Sequence, residues 1–540
     1  MKTILKTDSQ KAIVLIALVA VILLANNNYV SLWDQDEAAY AGFALNMVET
    51  GNWLMPEFTW SDVHRKPPLH FWNIAISYKI FGVNEFAVRF PSVMFILLTL
   101  GVVYWGGRKI FGDKESLFGT AVLASSFLVP TLAKISVTDA TLLFFTTLCG
   151  LAILKGLLYR KWIWVFVFWI SFSLALLTKG PPVIIFAGGF GILLLVLHPN
   201  RRNLLIFHPW FFLPLSMLPL LAWAHACMQD PQGKAFIEWM LDWYVLKRIG
   251  GSVFGQTGPP GTHLLGIVVF FIPYLIYLPA AFITMLRNFW TGQRENSFLL
   301  AAWFIAGWFI FELSPSKLPA YVVAAHVPLA LAIGGKMTDV KNFAGWVLSV
   351  QVVVWSCFIA GLAITPFLLN LPVGPKLIFL LASAAMIVGL FFAFRNKNRR
   401  FSIGTRLVAF SFLFQAIVWI AIMPIIEPLK NSTLVVAKTA EKMAHEDTMV
   451  VLANSFSKPP SLPFYFRMRF ENVIEEYDIE NLFFFHESDQ EVLFVLTQEQ
   501  KNQFEQRYGQ IDFVRVEASY TDRLERGTYY LLVNREPVRD

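Results

Sequence analysis

What constrains this chain most is a recurrence of apolar runs, each about 18 residues or longer, between Lys11 and Pro424. Each run is long enough to cross a hydrocarbon core, so the expected fold class is an α-helical polytopic membrane protein. Composition agrees: 56% of residues are hydrophobic and 15% charged, against about 25% charged in an ordinary soluble domain. The net charge of +7 therefore reads as basic residues gathered in short loops, not as a nucleic-acid surface. Thirteen spans are expected, near 11–26, 86–107, 115–133, 138–158, 162–178, 181–198, 204–227, 263–286, 297–313, 318–335, 343–366, 374–394 and 403–424.

Alternating these spans across a membrane gives an orientation. With the amino terminus inside, each inside loop carries at least two basic residues, among them Arg108 and Lys109, Arg160 and Lys161, Arg201 and Arg202, and Arg399 and Arg400. Inside loops of multi-pass proteins are rich in Lys and Arg. Lysines at 2, 6 and 11 precede the first apolar run, which lacks a small-x-small cleavage pattern and reads as a retained helix. The expected home is a bacterial inner membrane. The odd span count puts the carboxyl terminus outside, in the periplasm.

The outside loops carry less charge, so their isolated charges ask for a reason. They include Lys66 in RKPP, Asp139 in SVTDA, Lys179 in TKGPP, Lys247 and Arg248 in LKRIGG, and Lys317 in SPSKLPAY. A bound anion is one reason; snorkelling to headgroups is the plain alternative for any single lysine. The densest such loop runs from Trp33 to Trp72. Asp34, Asp36, Glu37, Glu49 and Glu57 precede its basic cluster of His64, Arg65 and Lys66. The expected catalytic loops are this one, near 30–72, and a second near 228–262, both within a membrane domain spanning 1–426. From 427 to 540 the composition turns soluble. Strands are expected at Met449–Ala453, Val492–Leu496, Phe513–Glu517 and Tyr529–Val533, and helices at Ser432–Ala444 and Glu499–Arg507, making a small α/β domain.

Within the first loop, Asp36 and Glu37 are adjacent, and Tyr40 lies one helical turn beyond Asp36. Two carboxylates near a dry interface suit general-base work, although helix capping explains such a pair as well. Two prolines after Lys66 hold its backbone at the start of the next segment, and a lysine is a compact charge for a phosphate oxygen. The three cysteines form no metal spacing, and no Walker or dinucleotide motif is present.

DEAAYAGFALNMVETGNW, RKPPLHFW, FAVRFPS, SVTDA, LLTKGP, KRIGG with a later GTHLLG, and SPSKLPAYVVAAHVPLALA follow one another over residues 30–335. In this order they resemble the membrane-bound GT-C glycosyltransferases of the protein mannosyltransferase and aminoarabinose transferase type. The resemblance implies transfer of a sugar from a polyisoprenyl (undecaprenyl) phosphate to an acceptor on the outer face. It implies Asp36 as the catalytic carboxylate and Lys66, Arg248 and Tyr321 as the donor-phosphate contacts. Glu37, Tyr40, Arg65, Asp139, Lys179 and Lys317 are further site candidates. A single displacement would invert the anomeric carbon.

Two departures limit the carry-over. Aminoarabinose transferases have a glutamate before the loop lysine and a histidine before the outer-loop arginine; here stand Arg65 and the run Trp243 to Leu246. A zinc site of that kind is therefore not supported, and a divalent metal stays open as a cofactor without sequence support, since His64 and His70 are more naturally hydrogen bonded than metal ligands. The KPP after the first lysine also differs from that branch. An outer-leaflet glycolipid such as lipid A is the expected acceptor, with a protein hydroxyl as the alternative. A lipid-linked saccharide flippase is the reading from a different class. It is disfavoured by the absence of an internal repeat and by charges gathered at helix ends. A non-catalytic scaffold leaves the motif pattern unexplained.

Overall fold

The computed structural model describes residues 7–243, 247, 257–291, 296–339, 343–395, 402–453, 459–519 and 526–534. Arg248 lies outside the described residues. The fold is mostly helical, with one small sheet near the carboxyl terminus. Among the described residues nine helices are long and apolar enough to cross a membrane, or ten if the bent pair Asp113–Ser125 and Leu128–Lys134 is one span. That pair falls on the expected run 115–133 and turns through 57°. The bend frees the Phe127 N–H, which the Phe270 carbonyl accepts at 2.9 Å.

Three other expected spans fall on shorter helices. The first is α1 (Asp8–Leu24), capped by the Thr7 hydroxyl, and the second is Pro181–Leu197. The third, expected at 263–286, is divided into Thr262–Phe270 and Leu278–Trp290 around a 3-10 turn at Ile272–Tyr274. Pro273 in the turn and Pro279 in the first turn of the second piece remove backbone donors, which explains the break.

The chain forms two compact units. The first comprises Met1–Ala25, Lys66–His70 and Pro91–Ile422. Its interior is apolar and its packing close. A Cβ on Gly119 would meet Leu331 Cα at 2.9 Å, and one on Gly334 would meet the Gly119 amide at 2.4 Å. Two helices, Asp113–Ser125 and His326–Asp339, therefore approach backbone to backbone, the usual role of small residues between membrane helices. Outward, Val353, Leu381, Ile387 and Phe392 stand exposed, an exterior suited to lipid rather than water.

The second unit comprises Asn26–Arg65, Phe71–Phe90 and Met423–Asp540. It holds α2 (Asp36–Thr50), which ends at Gly51 in the left-handed conformation (φ +73°). It also holds a five-stranded sheet of β1 (Met449–Leu452), β2 (Val473–Glu475), β3 (Val492–Leu496), β4 (Val514–Ser519) and β5 (Arg526–Val533), in the order β2-β1-β3-β5-β4. β1 pairs parallel with β2 and β3, and β5 antiparallel with β3 and β4. Every residue of β3 is buried, as expected for the central strand of a mixed sheet covered on both faces. The edge strand β2 and the helices Ser461–Arg467 and Ile479–Glu487 were not expected. The expected helix at 432–444 is Leu434–Ala440, and Thr433, not Ser432, is its amino-terminal flank.

Candidate active site

α2 begins abruptly. Gln35, just before it, has φ +66° and ψ −109°, a backbone conformation that costs energy for any residue but glycine. Asp36 and Glu37 follow, and their surroundings differ completely. Glu37 is enclosed: Arg89 grips it bidentately, Nε to Oε1 at 2.8 Å and Nη2 to Oε2 at 2.9 Å, and the Trp33 amide donates to Oε2 at 2.8 Å. The same guanidinium donates to the carbonyls of Asn27, Val30 and Ser31. Arg89 lies in α4 (Glu85–Gly101) and is 1% exposed.

Asp36 is open, its side chain 55% exposed. Its Oδ1 accepts from the Tyr40 hydroxyl at 2.8 Å and lies 3.2 Å from His64 Nδ1. Tyr40 is buried one helical turn on, so its hydroxyl orients the carboxylate. Arg65 pairs with Asp62 at 2.6 Å. The segment before α2 is also tied to the carboxyl-terminal part of the unit. The Leu32 amide donates to the Tyr465 hydroxyl at 2.7 Å and the Ser31 amide to Glu427 Oε1 at 2.8 Å.

In the first unit the candidates form a second cluster. Lys179 ends the Trp162–Lys179 helix, where a cation suits the helix dipole. Gly180 then takes φ +75° and Pro181 starts the next helix, so TKGPP is a tight helix-to-helix turn. Asp139 sits in the first turn of the Thr138–Tyr159 helix and binds Lys179 Nζ at 2.6 Å. Lys179 also stands 5.8 Å from the centre of the Tyr321 ring. Lys66 precedes buried Pro67 and Pro68 and the start of α3 (Leu69–Phe81). His70, in the first turn of α3, is buried between Ser136 and Thr141 hydroxyls at 3.4 and 3.3 Å. Burial, and then the charge of Lys66 and more weakly that of Lys179, push the His70 pKa down to about 3. Its imidazole is neutral, a polar wall and not a third cation.

Lys317 has a different setting. Its Nζ donates to the Glu312 carbonyl at 2.5 Å and lies 3.3 Å from Glu312 Oε1. Glu312 itself accepts from the amides of Gly261, His263 and Leu264 and from the Trp308 indole. It caps the Thr262–Phe270 helix and anchors the SPSKLPAY segment that carries Tyr321. Glu312, Arg89, His70 and Tyr465 were not among the residues singled out for the site. An acidic residue inside an apolar span was the available signal for Glu312, as was a lone arginine near a span's start for Arg89. Among the described residues no three His, Cys, Asp or Glu side chains gather as metal ligands.

The fold is that of a polytopic α-helical membrane protein with a small carboxyl-terminal sheet. The sequence profile of the dolichyl-phosphate-mannose-protein mannosyltransferase family matches residues 65–225. The structure superposes on that of ArnT from Cupriavidus metallidurans bound to undecaprenyl phosphate with a TM-score of 0.75, covering 98% of this chain and 99% of that one at 17% identity. The fold is thus that of ArnT. The chain is also 30% identical over 316 residues to undecaprenyl phosphate-alpha-4-amino-4-deoxy-L-arabinose arabinosyl transferase 1 of Pseudomonas fluorescens, a match covering 57% of this chain and 56% of that relative. It is 26% identical over 347 residues to the corresponding transferase of Yersinia pestis, covering 62% and 60%. The chain therefore matches less than two thirds of the length of these relatives.

Proposed function

We propose that the protein transfers a sugar from a polyisoprenyl phosphate to an acceptor hydroxyl at the outer face of a bacterial inner membrane. The observation that carries this reading is Lys179, held by Asp139 at 2.6 Å and 5.8 Å from the Tyr321 ring, with Lys66 acting on the same buried His70. It is a setting for a phosphate that leaves with a full negative charge. The transferase names of the relatives support the donor class.

In this reading the acceptor oxygen attacks the anomeric carbon from the side opposite the phosphate. Its proton passes to Asp36, the new C–O bond forms, and the electron pair of the breaking bond goes to the phosphate oxygen. The configuration inverts. Lys66, Arg248 and Tyr321 stabilise the growing negative charge, a role in which placed donors contribute several kcal/mol. Asp139 holds Lys179 in position, Lys317 braces the segment bearing Tyr321, and Glu37 with Arg89 fixes the start of α2 so that Asp36 alone stays available. A membrane glycolipid such as lipid A is the acceptor proposed here, on the resemblance to the aminoarabinose branch. A protein hydroxyl is the second reading, favoured by the mannosyltransferase profile over 65–225. The amino terminus is cytoplasmic and residues 427–540 form a periplasmic domain.

The test uses purified protein and its Asp36→Asn variant with a panel of polyprenyl-phosphate sugars, following release of polyprenyl phosphate. Release that requires a membrane-lipid extract and disappears in Asp36→Asn is expected. Release only with protein acceptors would select the second reading, and an intact protein that consumes no donor would refute both.

A further inference from the structure

The first unit contains an apolar crevice of about 780 Å³, within the range of roughly 300–1,000 Å³ typical of ligand pockets. Ile16 and Ala17 of α1, Leu97 and Gly106 of the Glu85–Phe111 span, and Leu151 and Trp164 line it. None of the phosphate-site candidates does. Its shape has a local cause. The Glu85–Phe111 span carries one π-helical stretch, Val102–Gly106, and a Cβ on Gly106 would meet Leu151 at 2.6 Å. The two helices close on each other there, while the widened turn opens room beside them.

One residue in this lining is out of keeping with the rest. Lys155 reaches into the crevice from the Thr138–Tyr159 helix and is only 6% exposed. Its ammonium lies 4.3 Å from the centre of the Trp164 ring, and the charge acting on it is that of Lys109, also positive. Among the described residues it forms no ion pair. A buried cation in an apolar, membrane-embedded wall is costly until an anion meets it.

We infer that this crevice is a binding site for one anionic phospholipid, with an acyl chain along the apolar lining and its phosphate on Lys155. A soluble anion would leave the apolar wall uncovered. A zwitterionic headgroup brings its own ammonium against Lys155 and Lys109, so an anionic headgroup is the better match. The inference is independent of the transfer reaction.

The test is native mass spectrometry of the detergent-purified full chain, offered phosphatidylglycerol, phosphatidylcholine or undecaprenyl phosphate, each at the same concentration. Wild type should retain one phosphatidylglycerol with at least about a tenfold preference over phosphatidylcholine of the same acyl chains, the scale of a charge-assisted hydrogen bond. Lys155→Met should abolish that preference, Lys155→Arg should keep it, and Lys114→Met, outside the crevice, should leave it unchanged. Ala17→Trp, which fills the crevice from another helix, should remove retention and decides the matter if Lys155→Met does not fold. Equal retention of the two phospholipids, an unchanged preference in Lys155→Met, or preferred retention of undecaprenyl phosphate would each overturn the proposal.

Discussion

Two acid–base pairs in this protein, one in each unit, differ in how completely their hydrogen-bonding groups are used. Glu37 and Arg89 are 0% and 1% exposed in their side chains. Oxygens of Glu37 and donors of Arg89 are met by each other or by the backbone, and nothing is left to engage a substrate. Asp139 and Lys179 are joined by a single 2.6 Å contact at 9% and 14% exposure. The lysine there keeps donors to spare and stands beside the Tyr321 ring. Completeness of hydrogen bonding, more than burial, separates the two pairs.

The largest expected effect comes from breaking the complete pair. Arg89→Met strands a buried carboxylate and the carbonyls of Asn27, Val30 and Ser31. It should lower stability by about 3–5 kcal/mol, seen as a drop in the thermal unfolding midpoint of the second unit. Combining it with Glu37→Leu should recover part of that loss, because two apolar groups leave no unpaired charge. If the double variant is no better than the single one, Glu37 does more than brace α2.

A smaller effect tests the tie between the segment before α2 and the carboxyl-terminal part of the second unit. Tyr465→Phe leaves the buried Leu32 amide without its acceptor and should cost about 1–3 kcal/mol. Amide exchange at Leu32 and Trp33 should speed up accordingly, while exchange in the β-sheet stays as it was.

A further test concerns pH. His70 titrates near 3 when folded and near 6.5 when unfolded, so between these values the unfolded chain binds the extra proton. Stability from this residue is full above about pH 6.5 and is lost as pH falls towards 3. His70→Gln should flatten the acid limb of the stability profile of the first unit. An unchanged limb would show that burial of His70 is not a source of acid sensitivity.

Much of this was legible in the sequence. Apolar runs and basic loops announced the membrane fold, and motifs in RKPP, TKGPP and KLPxY named the lysines and the tyrosine that cluster in the first unit. Pairing was not legible. Asp139 and Lys179 are 40 residues apart, and nothing local says that they touch. Adjacent Asp36 and Glu37 are equivalent as letters, and only Arg89, 52 positions after Glu37, breaks the tie between them. The divided helix pair at 262–290 reads as one span because hydropathy ignores the two prolines that break its hydrogen bonding. β2 is three residues long, too short for alternation to register. Thr433 replaced Ser432 as the helix flank because its hydroxyl meets Ser461 at 2.5 Å, a tertiary partner that local capping rules do not see.

The proposed function divides the work between a carboxylate that turns the donor over and cations that hold its phosphate. Its most direct test is the affinity for a labelled polyprenyl phosphate, measured side by side in wild type, Asp36→Asn and Lys66→Met. Asp36→Asn should bind as wild type does while failing to transfer sugar, and Lys66→Met should bind about 10- to 100-fold more weakly, the scale of a charge-assisted hydrogen bond. Loss of binding in Asp36→Asn, or unchanged binding in Lys66→Met, would contradict it.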